Sequence, residues 1–486
     1  MKRLFGLDAS RCTPETAVRT ASAGVGLVYL AFLPPVIVSL DGNSMLAVAE
    51  SLVSKGSFTV PAGLGHLGRG ENYYSVWYPL ESILAVPFVA LGNAIAHLAH
   101  LPSHYVAEVF TSLLSVLLCT GSVYLTGMLA LRLGASIKGA ILAALAFGLG
   151  TITPVYARDF FADPPLALMT AATLFFALGE GAYQSTIAAS AAGLAVLCKP
   201  SGIILGPLVS AYKLFKTRSL RQAMIPLLGM GLGAALYLLY NDLRFGSFAN
   251  FGREQSPTNG FTVSHFSEAA IAMLISPGRG LVWYCPPILA LIGLKRSKIA
   301  SAEALLIFGV SIAYWLLYSC REDWTGGWSW GPRFLLPILP GLLALTGLLP
   351  ARRLKFLAIL TLIGFVLNAP NLVCFFERQI VEDNLNGIPP SEEMWSPAKS
   401  PLVGIWHVAY DEIRDASRTD VKSIVQNAGA PASGLQGGAF RVVAVWWWML
   451  PALGVPRFIG AAVAFLLVGL GGALIVYSLR CIAVLS

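Results

Sequence analysis

Long uncharged runs recur along the whole chain, many of them close to the ~20 residues a helix needs to cross a ~30 Å hydrocarbon core. They carry Gly and Pro freely, which lipid-embedded helices tolerate. They lack the period-two alternation of a membrane barrel. Charged residues make up only 12% of the chain, against about 25% in a soluble domain. These features predict an all-α polytopic integral membrane protein.

Charge sets the orientation. The formal net charge is +8, which in a soluble chain would raise nucleic acid as a partner. Here the basic residues cluster in short segments between apolar runs, as orientation in a bilayer requires, so nucleic acid is discounted. Lys2, Arg3, Arg11 and Arg19 precede the first run, Thr20–Leu40, with no small-residue cleavage site after it, which reads as a retained first span. Its start is then cytoplasmic and Asp41 lies outside. The run Pro79–Ala99 could also cross. If it did, the clusters Lys213/Lys216/Arg218/Arg221, Lys295/Arg296/Lys298 and Arg352/Arg353/Lys355 would all become external. It is therefore read as a re-entrant or interfacial helix on the outer side, within a long outer loop 41–103. The remaining runs are His104–Leu131, Gly139–Tyr156, Pro165–Leu178, Thr186–Leu197, Gly202–Leu214 and Ala223–Tyr240, then Leu281–Leu294, Ala304–Tyr318, Leu335–Leu349, Phe356–Phe376 and Phe458–Leu479. With the first run they make about twelve crossings, with both termini inside. On this reading a position near Lys138 is cytoplasmic and one near Arg253 external. Residues 1–375 form the core, 376–456 an outer loop or small cap, and 457–486 a last span. The seven cysteines show no CxxC pair, and Cys119 and Cys374 fall inside expected spans as small buried residues.

The acids and several cations fall at the outer ends of these spans, where ionisable groups are costly unless paired or used. Asp41 opens an amphipathic stretch, Asn43–Leu52, that Gly56 breaks. It serves equally as a general base or as a helix N-cap. Asp159 and Asp163 are four apart and would share a helix face. Asp163, before Pro164 and Pro165, reads as a cap, which leaves Asp159 free to bind substrate or hold Arg158. Lys199, Arg279 and Arg333 each stand near glycines at a break, where backbone N–H groups and a cation can converge on one phosphate. Each could equally snorkel toward lipid headgroups. His97, His100 and His104 have helix-like spacing, but Pro102 interrupts it, so interfacial histidines are favoured over a metal site. Trp446–Trp448, beside Arg441, reads as an interfacial aromatic belt.

The segment from Asp41-Gly42-Asn43-Ser44 through Gly56 to Pro61 resembles the first outer loop of the C-type membrane glycosyltransferases, nearest the lipid A aminoarabinose transferase and protein O-mannosyltransferase group. Tyr74–Ser82 resembles their Lys-Pro-Pro-Leu segment. Tyr240–Ser247 and Trp328–Pro337 look like motifs of bacterial members. The resemblance covers residues 1–375. It implies inverting transfer of a sugar from a polyprenyl-phosphate donor to a glycolipid, lipopolysaccharide, wall polymer or protein outside a bacterial cytoplasmic membrane. Asp41 matches the acceptor-activating aspartate, and Asp159 or Asp163 the second-loop acid. Two departures stand out. Gly42 replaces the usual Glu, and Tyr78 stands where many members place Lys. The donor phosphate then falls to Arg158, Lys199, Arg279 and Arg333, with Tyr78 beside them. No metal ligands are assigned, and a divalent metal remains an open cofactor. The rival readings are a flippase or transporter for lipid-linked sugars and a non-catalytic membrane scaffold. A transporter calls for matched broken helices in two repeats, and no repeat is visible here.

Overall fold

A computed structural model describes residues 13–252, 260–418, 420–426 and 442–485. Lys2, Arg3, Arg11, Arg253 and Arg441 lie outside the described residues. The longer helices run in chain order α1 (Pro14–Ala31), α2 (Leu40–Lys55), α3 (Pro79–Ala99), α4 (Ser103–Arg132), α5 (Ile137–Gly150), α6 (Asp163–Ala177), α7 (Gly181–Cys198) and α8 (Leu205–Thr217). They continue as α9 (Leu220–Phe245), α10 (Phe266–Ile275), α11 (Ala302–Ser319), α12 (Leu339–Thr346), α13 (Ala351–Asn368), α14 (Phe376–Leu385), α15 (Pro401–Asp415) and α16 (Arg457–Leu485). A two-residue hairpin, His66–Leu67 with Tyr73–Tyr74, is the one sheet among the described residues. The protein is a multi-pass, all-helical membrane protein. Seven described helices have the length and apolarity to cross a bilayer, α3 among them, and four shorter apolar helices join them.

Several boundaries differ from the sequence reading, each for a local reason. The first helix ends at Ala31, not Leu40, because Pro34 and Pro35 lack N–H groups and bias the preceding residue away from helix. Leu40 belongs to α2, which Gly56 closes in a left-handed conformation (φ 63°). The run Leu281–Leu294 is a single helical turn followed by a 3-10 segment, Pro286–Gly293, because Pro286 and Pro287 remove two donors. The Trp446–Trp448 cluster does not form a free belt. The indoles of Trp446 and Trp447 donate to the carbonyls of Leu30 and Ala31 and so close the end of α1.

The two ends of the bundle differ in chemistry. At one end, basic side chains tie loops and helix ends together. Arg132 donates to the Phe175 carbonyl, Lys213 to the Gly179 carbonyl (2.8 Å) and Arg353 to the Gly293 carbonyl, and Lys216 pairs with Glu303 (2.6 Å). The acids singled out above gather at the other end. Helix α3 runs back along the first half of α4 only. A Cβ at Gly92 would lie 2.8 Å from the Ala107 Cα, and Glu81 acts electrostatically on Cys119. From Cys119, α4 continues to Arg132, about 20 Å further at 1.5 Å per residue.

Candidate active site

Asp41 sits in the first turn of α2 rather than at its cap. The N-cap is Ser39, whose Oγ accepts from the Gly42 N–H (3.2 Å). The same hydroxyl donates to Asp159 Oδ1 (3.2 Å), which joins the start of α2 to the segment before α6. Gly42 is buried against that segment. A Cβ there would lie 2.9 Å from the Phe160 carbonyl oxygen and 2.7 Å from the Ile37 side chain. No side chain fits, which accounts physically for glycine next to Asp41.

Asp159 and Asp163 do not share a helix face. Asp159 lies in the bend between the short helix Thr153–Tyr156 and α6, and accepts from the Phe160 N–H (2.8 Å). Burial pushes its carboxyl up to about 7, against the lowering effect of the Phe160 N–H, the Ser39 hydroxyl and Arg333. Asp163 is not a cap either. Ala162 holds that position, and the Asp163 carboxylate is committed to cations instead. Lys199 Nζ bonds its Oδ1 at 2.8 Å, and Arg333 Nε stands 3.6 Å from its Oδ2. Arg333 Nη1 reaches Asp41 Oδ2 at 3.4 Å. A chain of alternating charge results: Lys199, Asp163, Arg333, Asp41.

The sequence places each member locally. Pro200 ends α7 and leaves Lys199 extended (φ −166°), its ammonium 4.4 Å from the Phe334 ring centroid. Burial pulls the Lys199 ammonium down to about 8 against the attraction of Asp163. Arg333 follows a left-handed turn at Gly331 (φ 59°), where a Cβ would meet the Tyr284 ring at 2.6 Å. Trp330 anchors that turn by donating to Asn368 Oδ1 (2.7 Å), while its carbonyl accepts from the Tyr156 hydroxyl (2.9 Å).

Two expected phosphate ligands stand apart from this charge chain. The Arg158 nitrogens donate to the carbonyls of Phe32, Cys374 and Ala444, tying the end of α1 to the outer segments rather than to Asp159. Arg279 pairs with Glu393 (3.5 Å), outside the charge chain. Tyr78 lies beside Asp163's neighbourhood, its ring 6.0 Å from Tyr237 and packed with Ala162 and Val196. Buried Arg244 donates to the carbonyls of Ser75 and Trp77 and to Asn241 Oδ1, and so fixes the approach to α3. His104 bonds Glu50 (2.7 Å) and stands 3.6 Å from Glu108. Among the described residues no three His, Cys, Asp or Glu are placed to hold a metal ion.

Two buried acids that act on this cluster escaped the sequence reading. Glu81 is within electrostatic reach of Asp163, Asp159, Lys199 and Asp41, and neither carboxylate oxygen has a hydrogen-bonding partner. Its signal was present: it is the single acid in the apolar run of α3. Glu377 opens α14 beside Asp159, and burial, then the Asp159 charge, raises its carboxyl well above the ordinary range.

The architecture is the C-type membrane glycosyltransferase fold. Two solved structures display it. ArnT from Cupriavidus metallidurans in the apo state matches with a TM-score of 0.52 and 18% identity, over 92% of this chain and 75% of that one. ArnT bound to undecaprenyl phosphate matches with a TM-score of 0.51 and 16% identity, over 90% and 76%. Compared by sequence, the chain matches no family profile and no curated protein.

Proposed function

We propose that the protein is an inverting glycosyltransferase. It moves a sugar from a polyprenyl-phosphate donor to an acceptor on the outer side of a bacterial cytoplasmic membrane. The observation that carries this reading is the buried pair of cations, Lys199 and Arg333, held by Asp163 directly beside Asp41. Two cations in a low-dielectric site suit a leaving phosphate far better than they would in water. A fold that binds undecaprenyl phosphate in ArnT supports a carrier of the same chemical kind.

In this mechanism the acceptor oxygen attacks the anomeric carbon as Asp41 takes its proton. The bond from that carbon to the phosphate oxygen breaks on the opposite face. Lys199 and Arg333 meet the charge that develops on the polyprenyl phosphate, and Asp163 keeps both cations in place. Asp159 accepts a hydrogen bond from the acceptor. The acidic end of the bundle faces outward because the basic clusters face the cytoplasm. The test is reconstitution in nanodiscs with a panel of polyprenyl-phosphate monosaccharides. Release of polyprenyl phosphate with an inverted glycoside is the expected result, together with accumulation of lipid-linked sugar in a deletion strain. Turnover of no donor in the panel, with no such accumulation, contradicts the reading.

A further inference from the structure

Helix α15 presents three faces. Leu402, Ile405, Val408 and Ala409 are buried and share one apolar core with Cys374 and Phe376. His407, Asp411 and Arg414 make a polar arc, with Arg414 paired to Asp411 at 3.1 Å. The third face is apolar and open. Val403, Trp406, Tyr410 and Ile413 are 44%, 47%, 65% and 60% exposed. At 3.6 residues per turn these four fall within an arc of about 80°. An apolar stripe left open beside a buried face marks an interaction surface.

The place of α15 says what covers the stripe. Helix α13, with the four residues that follow it, has the length and apolarity to cross a bilayer. Its Phe356, Ile359, Ile363 and Val366 are exposed and recur every three or four residues. In a multi-pass membrane protein such a stripe faces lipid. One turn further the same face reaches Pro370, which is buried, and α15 packs against that turn, Ala369–Leu372. The lipid-facing stripe of α13 thus ends at α15. This is the end of α13 remote from Arg352, Arg353 and Lys355. Area argues against a second protein. Four half-exposed side chains offer on the order of 400 Å², about half of the ~800 Å² per partner in a stable interface.

We propose that α15 is an interfacial anchor that lies in the lipid headgroup layer at that end of α13, with Val403, Trp406, Tyr410 and Ile413 against the acyl boundary. Trp and Tyr suit this level, because their rings are apolar while their N–H and O–H groups stay wet. His407, Asp411 and Arg414 face water. Arg378 meets the buried Glu412 of α15 at 2.5 Å, so the anchor also holds α14, whose Glu377 feels the charge of Asp159. An anchor of this kind does not depend on the transfer reading.

The experiment is photocrosslinking of the full-length protein in nanodiscs of phosphatidylcholine, read by intact mass and peptide mapping. The variants are Trp406→p-benzoylphenylalanine and His407→p-benzoylphenylalanine. Both positions are exposed, so neither probe disturbs the core. The probe at 406 gains the mass of one phosphatidylcholine. At 407 that adduct is lost, because the apolar face of an interfacial helix sinks about 5–10 Å into the headgroup boundary while its polar face stays in water. Equal lipid adducts at the two positions, or none at either, overturn the proposal. A cross-linked pair of chains, or a cross-link from 406 to another segment of the same chain in place of lipid, overturns it as well.

Discussion

Asp163→Asn is the sharpest perturbation of the charge chain. It keeps the side chain's shape and removes the one anion that faces both Lys199 and Arg333. The side chains of Asp163, Lys199 and Arg333 are 2%, 7% and 7% exposed, so solvent screens the pair very little. Removing one partner of a buried pair leaves an uncompensated charge and costs about 3–5 kcal/mol. Arg333 retains Asp41, so the isolated cation is Lys199. Asp163→Asn combined with Lys199→Met should therefore regain a large part of the loss, since a matched removal is far cheaper than a broken pair. A bound phosphate replaces the missing anion in the single variant. At about a hundred times its Kd a ligand stabilises a protein by about 2.7 kcal/mol, and undecaprenyl phosphate should stabilise Asp163→Asn more than it does the parent at equal concentration. The assay is unfolding followed by tryptophan fluorescence, with and without undecaprenyl phosphate. An Asp163→Asn variant as stable as the parent, or a lipid increment no larger than the parent's, refutes the reasoning.

Transfer should peak between about pH 7 and pH 8. Asp159, raised by burial to about 7, loses its charge below that value and becomes a weaker partner for the acceptor hydroxyl, while Lys199, lowered by burial to about 8, loses its charge above it. Lys199→Arg keeps a cation at all working pH values, so the alkaline limb should vanish from the rate profile, and its persistence would deny Lys199 the role. Gly331→Ala should cost about 1–2 kcal/mol for the left-handed backbone, plus the contact with Tyr284, and should lower transfer by moving Arg333. A fully active and stable variant would show that the turn does not position Arg333. Arg244→Met leaves the carbonyls of Ser75 and Trp77 without their donor, and each buried orphan costs about 1–3 kcal/mol. A stability loss with the carrier affinity retained in the folded fraction is expected, whereas loss of carrier binding alone would make Arg244 a ligand.

Much of this architecture was legible before any coordinates, because lipid imposes simple rules. Helix is the backbone's way to satisfy itself in hydrocarbon, and the apolar runs announced it. The acids at span ends pointed to a cluster at one end of the bundle, and the structure brings Asp41, Asp159, Asp163, Lys199 and Arg333 together. What was not legible is which groups pair with which. Ser39 rather than Asp41 caps α2, and Asp163 bonds Lys199 instead of its own helix. Local capping propensity is worth about 1 kcal/mol, and an ion pair in a buried site outranks it. Arg158 looked available because its partners are carbonyls of Phe32, Cys374 and Ala444, from three distant parts of the chain that no spacing rule brings together. Glu377 was missed because its meaning comes from Asp159, more than two hundred positions away by number.

The central claim is that Asp41 takes the acceptor's proton in glycosyl transfer from a polyprenyl phosphate. The most direct test is Asp41→Asn, purified in nanodiscs and given a donor that the parent turns over. Arg333 loses one of its two counter-charges but keeps Asp163, so the variant should stay folded with a modest loss of stability, and its undecaprenyl phosphate affinity should be no weaker than the parent's. Its transfer rate should fall by at least about 100-fold, the smallest contribution expected of a general base. Near-parental transfer by this variant would contradict the account.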